Sequence, residues 1–395
     1  MANPAGELRD VLLEAERLDV AGDADGAIAA LSRALDLRPD LVPAHARLGT
    51  LLLQQGRLER ATAALSEAVR LDPARAPAWV KLGSALLHSG NIRLGLEALE
   101  RAESLAPADA AQIGSSRLLA MHYEPSLDPG SIFEAHRAWA TRYTPTPDTR
   151  PFLNARDGER PLRVAYVSPR FHDATVMRLL EPVLRHHDHR NVEAWCYAVT
   201  PVDNSITQRV RSLVAQWIDA SALDDTVLAA RMRTDAIDIA VDLAGHAPGG
   251  RPLAFARKPA PVCMSWMDYF DTTGIPAMDF VVTDEWHSPA GRQRFTETPL
   301  RLPRVRFCYE PIANAPAIRT RAGQSTVFGS FNRAAKLSSV TLEGYRLALE
   351  AVAGARLIIK NSSLGHDEDR AAFARRLAAA GIDPARVELR GFTEY

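Results

Sequence analysis

The sequence predicts a helical superhelix of short repeats followed by an α/β region of two doubly wound units, the second incomplete. Three observations lead there. Glycine, leucine, alanine and proline recur in register every 34 residues near the start. Short apolar runs later alternate with amphipathic stretches. The chain then reaches Tyr395 after about half the length that a second unit of this kind needs.

The repeat comes first. Gly22, Gly56 and Gly90 are 34 residues apart, as are Leu31, Leu65 and Leu99; Ala34, Ala68 and Ala102; and Pro39, Pro73 and Pro107. Ala27, Ala61 and Gly95 keep the same period. Small residues at fixed places let paired helices approach, glycine ends the first helix and proline stops the second. With Leu48 and Gly49, then Trp79, Leu82 and Gly83, these columns resemble tetratricopeptide repeats, three of them over residues 8–109 of a domain read as 1–109. Such a solenoid has a concave face that grips an extended segment of a partner protein, or else it caps and supports the remainder of the chain.

Residues 110–160 read as a helical bridge and linker. A turn at Glu124–Gly130 precedes the helix IFEAHRAWATRY, and the Pro-, Asp- and Arg-rich stretch Thr144–Arg160 comes after it. Strands are expected at Leu162–Val167, Val192–Val199, Ile237–Leu243, Val262–Trp266 and Phe280–Thr283, with helices at Ser205–Trp217 and Thr226–Thr234 between them. That alternation describes a parallel sheet covered by helices over residues 161–322. Over 323–395 a second unit is expected: strands Thr326–Phe331, Arg356–Lys360 and Val387–Arg390, and helices Ser338–Val352 and Asp367–Ala380.

Composition limits the function classes. The 395 residues are 47% apolar and 24% charged with net charge −1, which suits a globular chain and not one that coats nucleic acid. The start lacks the basic and apolar segments of a secretory signal, and no run is long enough to span a membrane. Cys196, Cys263 and Cys308 are scattered and odd in number, fitting a cytoplasmic protein without disulfides or a metal knuckle. Of 47 basic residues only Lys81, Lys258, Lys336 and Lys360 are lysines.

Ligands of open parallel sheets bind beyond the carboxyl ends of strands. The loop DLAGHAPGGRP sets His246 beside Gly245, suited to an anionic or hydroxyl-rich ligand or simply to a surface turn. YFDTTG offers the Thr272 and Thr273 hydroxyls and Gly274 to a phosphate, or closes a turn. Asn332 and Lys336 lie between a strand and a helix whose N-terminus favours anions, so the lysine is either a counter-charge for a diphosphate or a solvated side chain. His136 reads from its neighbours as a packed or surface histidine, and His186, His187 and His189 as a solvated turn without zinc-ligand spacing. No Ser-His-Asp arrangement, P-loop or dinucleotide glycine motif occurs.

The repeats, together with LRVAYVSPRF, DLAGHAPGGRPLAFARKPAPV, TTGIPAMDFVVTD, LRLP and FGSFNRAAKLS after them, resemble the bacterial and plant, SPINDLY-like branch of the protein O-linked N-acetylglucosamine transferase family. The resemblance implies a GT-B fold of two Rossmann-like domains. It also implies inverting transfer from a UDP-sugar to serine or threonine of proteins, with no metal or other cofactor. Carried over by position, His136 corresponds to a histidine near the acceptor, Gly245 and His246 to the glycine-histidine loop, and Thr272, Thr273 and Gly274 to the segment beside the donor. Asn332 and Lys336 correspond to the pair at the diphosphate. The implied partners are acceptor proteins held by the repeats, with neither nucleic acid nor membrane.

The chain departs from the family pattern at several places. Ala174 stands where a histidine is usual, with His172 two residues earlier; Phe270 and Asp271 replace proline and glycine; Cys263 replaces glutamine. A carboxylate at position 271 is expected to repel a diphosphate. From Gln324 onward only 72 residues remain. Altered sugar choice, or a repeat-based binding module with an inert catalytic half, are the alternatives these departures leave open.

Overall fold

The computed structural model describes residues 4–289, 291, 293–311, 315–317 and 325–392. It packs as two units: Asp128–Arg319 forms one, and Met1–Leu127 together with Thr320–Tyr395 forms the other.

The repeats fold as helix pairs: α1 (Pro4–Val20) with α2 (Ala24–Leu37), α3 (Val42–Gln54) with α4 (Leu58–Leu71), and α5 (Ala76–Ser89) with α6 (Ile92–Leu105), followed by α7 (Ala110–Met121). The 34-residue columns explain the pairing. Gly22, Gly56 and Gly90 turn the chain at φ of +79°, +72° and +85°, where a side chain would be strained. Ala27, Ala61, Ala34, Ala68 and Ala102 are fully buried, and Leu31, Leu65 and Leu99 fill the seam beside them. Helix approach is close enough that a Cβ on Gly49 would lie 2.5 Å from the Leu65 side chain.

The second unit begins with α8 (Pro129–Tyr143), capped by Asp128, whose carboxylate accepts from the Gly130 and Ser131 amides. Residues 144–161 form neither helix nor strand. Asn154 and Arg160 fasten this stretch to Asp238, the Arg160 guanidinium reaching both carboxylate oxygens at 2.7 Å.

Next in the chain come β1 (Leu162–Ser168), α9 (Ala174–His186), β2 (Val192–Ala198), α10 (Ser205–Arg211), β3 (Gln216–Asp219), α11 (Asp225–Thr234), β4 (Ile239–Asp242), α12 (Pro252–Ala256), β5 (Val262–Ser265), β6 (Phe280–Asp284) and β7 (Thr298–Leu302). All seven strands are parallel in the order β3-β2-β1-β4-β5-β6-β7, so the order reverses between β1 and β4. Val164, Tyr166, Val241, Met264 and Trp266 meet Met177 and Leu180 of α9 in the core.

Two expectations about elements change. The helix expected over Ser205–Trp217 ends at Arg211, and its last residues form edge strand β3, where Trp217 packs against Phe171 at 5.3 Å between ring centroids. β7 is an addition that the sequence pattern does not announce. It is an exposed edge carrying Pro299, so it shows neither apolar alternation nor a buried run.

The C-terminal segment adds β8 (Val327–Ser330), α13 (Ser339–Ala351), β9 (Arg356–Lys360), α14 (Asp367–Ala379) and β10 (Val387–Arg390), with a parallel sheet ordered β10-β9-β8. Its core of Leu342, Leu349, Leu357, Ile359, Phe373 and Leu377 is small. The segment leans on the repeats. Asp369 accepts from the Glu59 amide at 2.9 Å at the start of α4, the His366 ring bonds the Gln55 carbonyl at 3.2 Å, and Arg376 reaches the Ser89 carbonyl. Among the described residues no helix is long and apolar enough to cross a membrane.

Candidate functional site

In a parallel sheet the crevice opens where strand order reverses, here at the carboxyl ends of β1 and β4. Asp242 ends β4, and its Oδ1 accepts from the Ala244 amide at 2.9 Å and the Gly245 amide at 3.0 Å. That turn carries Gly245, at φ +51°, with Tyr269 packed where its Cβ would stand. His246 is next, fully buried, and its Nε2–H donates to the Thr273 carbonyl at 2.9 Å. The β4 loop and the β5 loop are thus tied through the histidine.

His136 enters the same nest from α8 and is entirely buried. Its Nδ1 faces the Ile132 carbonyl at 2.7 Å, and since a carbonyl only accepts, Nδ1 carries the proton. Nε2 therefore accepts from the Tyr269 hydroxyl at 2.5 Å. Burial holds the imidazole's pKa below its ordinary 6.5, against the pull of Asp271 and Glu297. Its Nε2 lone pair is engaged by tyrosine, so His136 positions Tyr269 here and presents no free base. Trp139 closes the cluster, edge-on to His246 at 4.6 Å.

Thr272 and Thr273 are buried too, and their hydroxyls face the Glu297 carboxylate. Thr272 Oγ1 donates to Glu297 Oε2 at 2.6 Å, while the Thr273 amide donates to Oε1 at 2.7 Å and its hydroxyl to the same oxygen. Gly274 turns at φ +72° against α8, where a Cβ would lie 2.5 Å from the His136 carbonyl oxygen. The carboxylate of Asp271 is also turned in, accepting from the Thr272 amide at 2.7 Å and from Gln293 at 2.9 Å. Ala174 opens α9 and is exposed. His172 is half-buried, with Asn204 on its carbonyl.

The structure thus gathers His136, Gly245, His246, Thr272, Thr273 and Gly274 in one unit. Asn332 and Lys336 belong to the other, where both are exposed and Lys336 precedes α13, capped by Ser338. Sequence reasoning missed Tyr269, Glu297 and Asp242. Asp242 had a signal, an aspartate ending a strand before Gly-containing turn residues. Glu297 had none, since its partners are 24 and 25 residues away.

Asp242 also gives a pH prediction. Burial raises its carboxyl to about 6 from 3.8. Between those values the folded state keeps a proton that the unfolded chain has lost, so stability falls as pH rises through this window. Asp242→Asn should remove that slope, about 3 kcal/mol at most by 1.36 kcal/mol per pH unit. Urea unfolding of both proteins from pH 4 to 7 measures it, and parallel curves would refute it.

Among the described residues no group of three or more His, Cys, Asp or Glu side chains could hold a metal ion. The family model Glycosyl transferase family 41 matches residues 148–322, and Tetratricopeptide repeat matches 21–74 and 52–117. A lysine-to-methionine mutant of the O-GlcNAc transferase of Thermobaculum terrenum is 33% identical at a TM-score of 0.85, covering all of this chain and 76% of that one. The "Probable UDP-N-acetylglucosamine--peptide N-acetylglucosaminyltransferase SPINDLY" of Arabidopsis thaliana is 35% identical over 291 residues, 71% of this chain. A tomato relative of the same name (Solanum lycopersicum) is 33% identical over 293 residues, 71% of this chain and 31% of that protein. The chain spans about a third of these plant proteins, 32% of the Arabidopsis one.

Proposed function

Because this chain belongs to glycosyltransferase family 41, the protein O-GlcNAc transferases that carry tetratricopeptide repeats, we propose that it moves N-acetylglucosamine from a uridine-diphosphate donor to serine or threonine hydroxyls of proteins, with inversion at the anomeric carbon. The observation that carries this reading is the joining of the His246 loop to the Thr272–Gly274 segment at adjacent carboxyl strand ends, beside the point where strand order reverses.

The reaction is one displacement. The acceptor oxygen bonds to the anomeric carbon as the bond from that carbon to the diphosphate breaks, and the hydroxyl proton departs. A protein accelerates it by holding oxygen and carbon in line and by meeting the charge on the leaving diphosphate. Rigidity is supplied by His246 on Thr273, by Glu297 under both threonines and by His136 under Tyr269. Within its own unit, Lys336 precedes the Ser338-capped N-terminus of α13, and an ammonium with a helix N-terminus suits the charge of a diphosphate. Acceptor proteins lie along the repeats. Asp271 is no obstacle to a diphosphate in this reading, because its carboxylate is held inward by the Thr272 amide and Gln293.

Calorimetry of uridine diphosphate with the 395-residue chain tests the reading; one site in the micromolar range is expected. No heat of binding would leave the alternative, a repeat protein with an inert catalytic half. Labelled sugar transfer from UDP-N-acetylglucosamine to protein, compared with other UDP-sugars, then separates the expected donor from an altered one.

A further inference from the structure

Six tryptophans occur in the chain, and one of them, Trp286, is 83% exposed. Tryptophan is usually largely buried, so such exposure needs a reason. It is not fraying. The turn beneath the indole is built rigidly: the His287 amide donates to Asp284 Oδ1 at 2.6 Å, the Ser288 amide to the Asp284 carbonyl at 3.0 Å, and the Thr283 and Ser288 hydroxyls meet at 2.8 Å. Arg306 donates its amide to the other Asp284 oxygen at 2.6 Å. Thr283, Asp284 and Ser288 are buried, so a fixed base holds the indole out.

Its place in the fold gives the exposure meaning. Trp286 stands two residues beyond β6, whose carboxyl end adjoins that of β5 and then β4, the strands that lead into the candidate site. Rings connect the two places: His287 is edge-on to Phe270 at 5.9 Å, Phe270 is stacked on Tyr269 at 6.1 Å, and Tyr269 bonds His136. Glu285, also exposed, adds a negative charge beside the indole. A diphosphate is repelled there, whereas a polypeptide brings apolar rings and basic side chains that suit an indole next to a carboxylate.

We propose that Trp286 reads the acceptor: its indole receives an apolar or prolyl side chain flanking the serine or threonine to be modified. The inference rests on the transferase reading above and adds a specificity-determining residue to it. A rigid aromatic anchor at the edge of a site is the kind of residue that dominates peptide recognition.

The test uses the 395-residue chain on an array of synthetic serine and threonine peptides of equal charge, flanked by proline or leucine in one set and by glycine or asparagine in the other. The parent should bind the first set about tenfold more tightly. Trp286→Ala should abolish the difference, and Trp286→Phe should keep most of it. All three proteins should bind uridine diphosphate alike and melt alike. Discrimination retained by Trp286→Ala, or absent from the parent, overturns the proposal. Indole-dependent discrimination without any nucleotide binding would instead keep the peptide site and remove the transferase reading.

Discussion

Lys336→Ala should weaken uridine diphosphate binding at least about tenfold and slow sugar transfer by about 10²-fold or more, the scale of losing one charge stabiliser at a leaving group. Lys336 is exposed, and no hydrogen bond or ion pair to its ammonium occurs among the described residues, so the melting temperature should not move. Arginine is an informative second variant. A guanidinium keeps the charge but not the compact point-like head, so Lys336→Arg should recover binding more fully than rate. Calorimetry and single-turnover transfer distinguish these outcomes. Unchanged affinity in Lys336→Ala would remove the lysine from the donor site.

A second large effect is expected at Gly274, and on stability first. Its φ of +72° is one that a side chain resists, and a Cβ there would stand 2.5 Å from the His136 carbonyl oxygen and 2.6 Å from its carbon. That obstacle is helix backbone and cannot rotate away. Gly274→Ala should cost about 3 kcal/mol or more, lowering the melting temperature of this unit by roughly 6–12 °C. Gly291 is the natural control: it has φ +81° in the same unit and nothing within 4 Å of its would-be Cβ. Gly291→Ala should cost only the backbone strain, about 1 kcal/mol. Equal losses at both positions would show that the approach of α8 to this loop contributes nothing. Nucleotide binding by any folded Gly274→Ala protein should also weaken, since His136 and Tyr269 would be displaced together.

The repeats were legible because a 34-residue period is written into the residues themselves: glycine where φ is positive, alanine where helices touch, leucine in the seam. The central strands were legible for a similar reason, since burial on both faces leaves continuous apolar runs such as Val164–Val167. β3 and β7 were not, because an edge strand needs neither run nor alternation. At the site, His246 and Thr272–Gly274 could be placed from loops after strands. The inward turn of both threonine hydroxyls could not, as it depends on Glu297 arriving from beyond the next strand. His136 was placed by resemblance alone. Its role as a support for Tyr269 spans 133 residues of sequence, and no local pattern encodes such a bond.

The bond from the Glu59 amide to Asp369 spans 310 residues, and this has a bearing on how the chain is made. At about 5–20 residues per second, the ribosome adds Asp369 roughly 15–60 s after Glu59. The repeats must therefore hold their shape over that interval with the Gln55–Glu59 turn still uncovered. They are suited to that wait, since each helix pair closes on residues within its own 34-residue span. The 325–392 segment is in the opposite position: its small core forms later than the repeats, on a surface that has already folded. A ribosome-bound intermediate arrested before residue 360 should thus show protected repeats with this turn open to protease, and protection there should appear only once α14 has emerged.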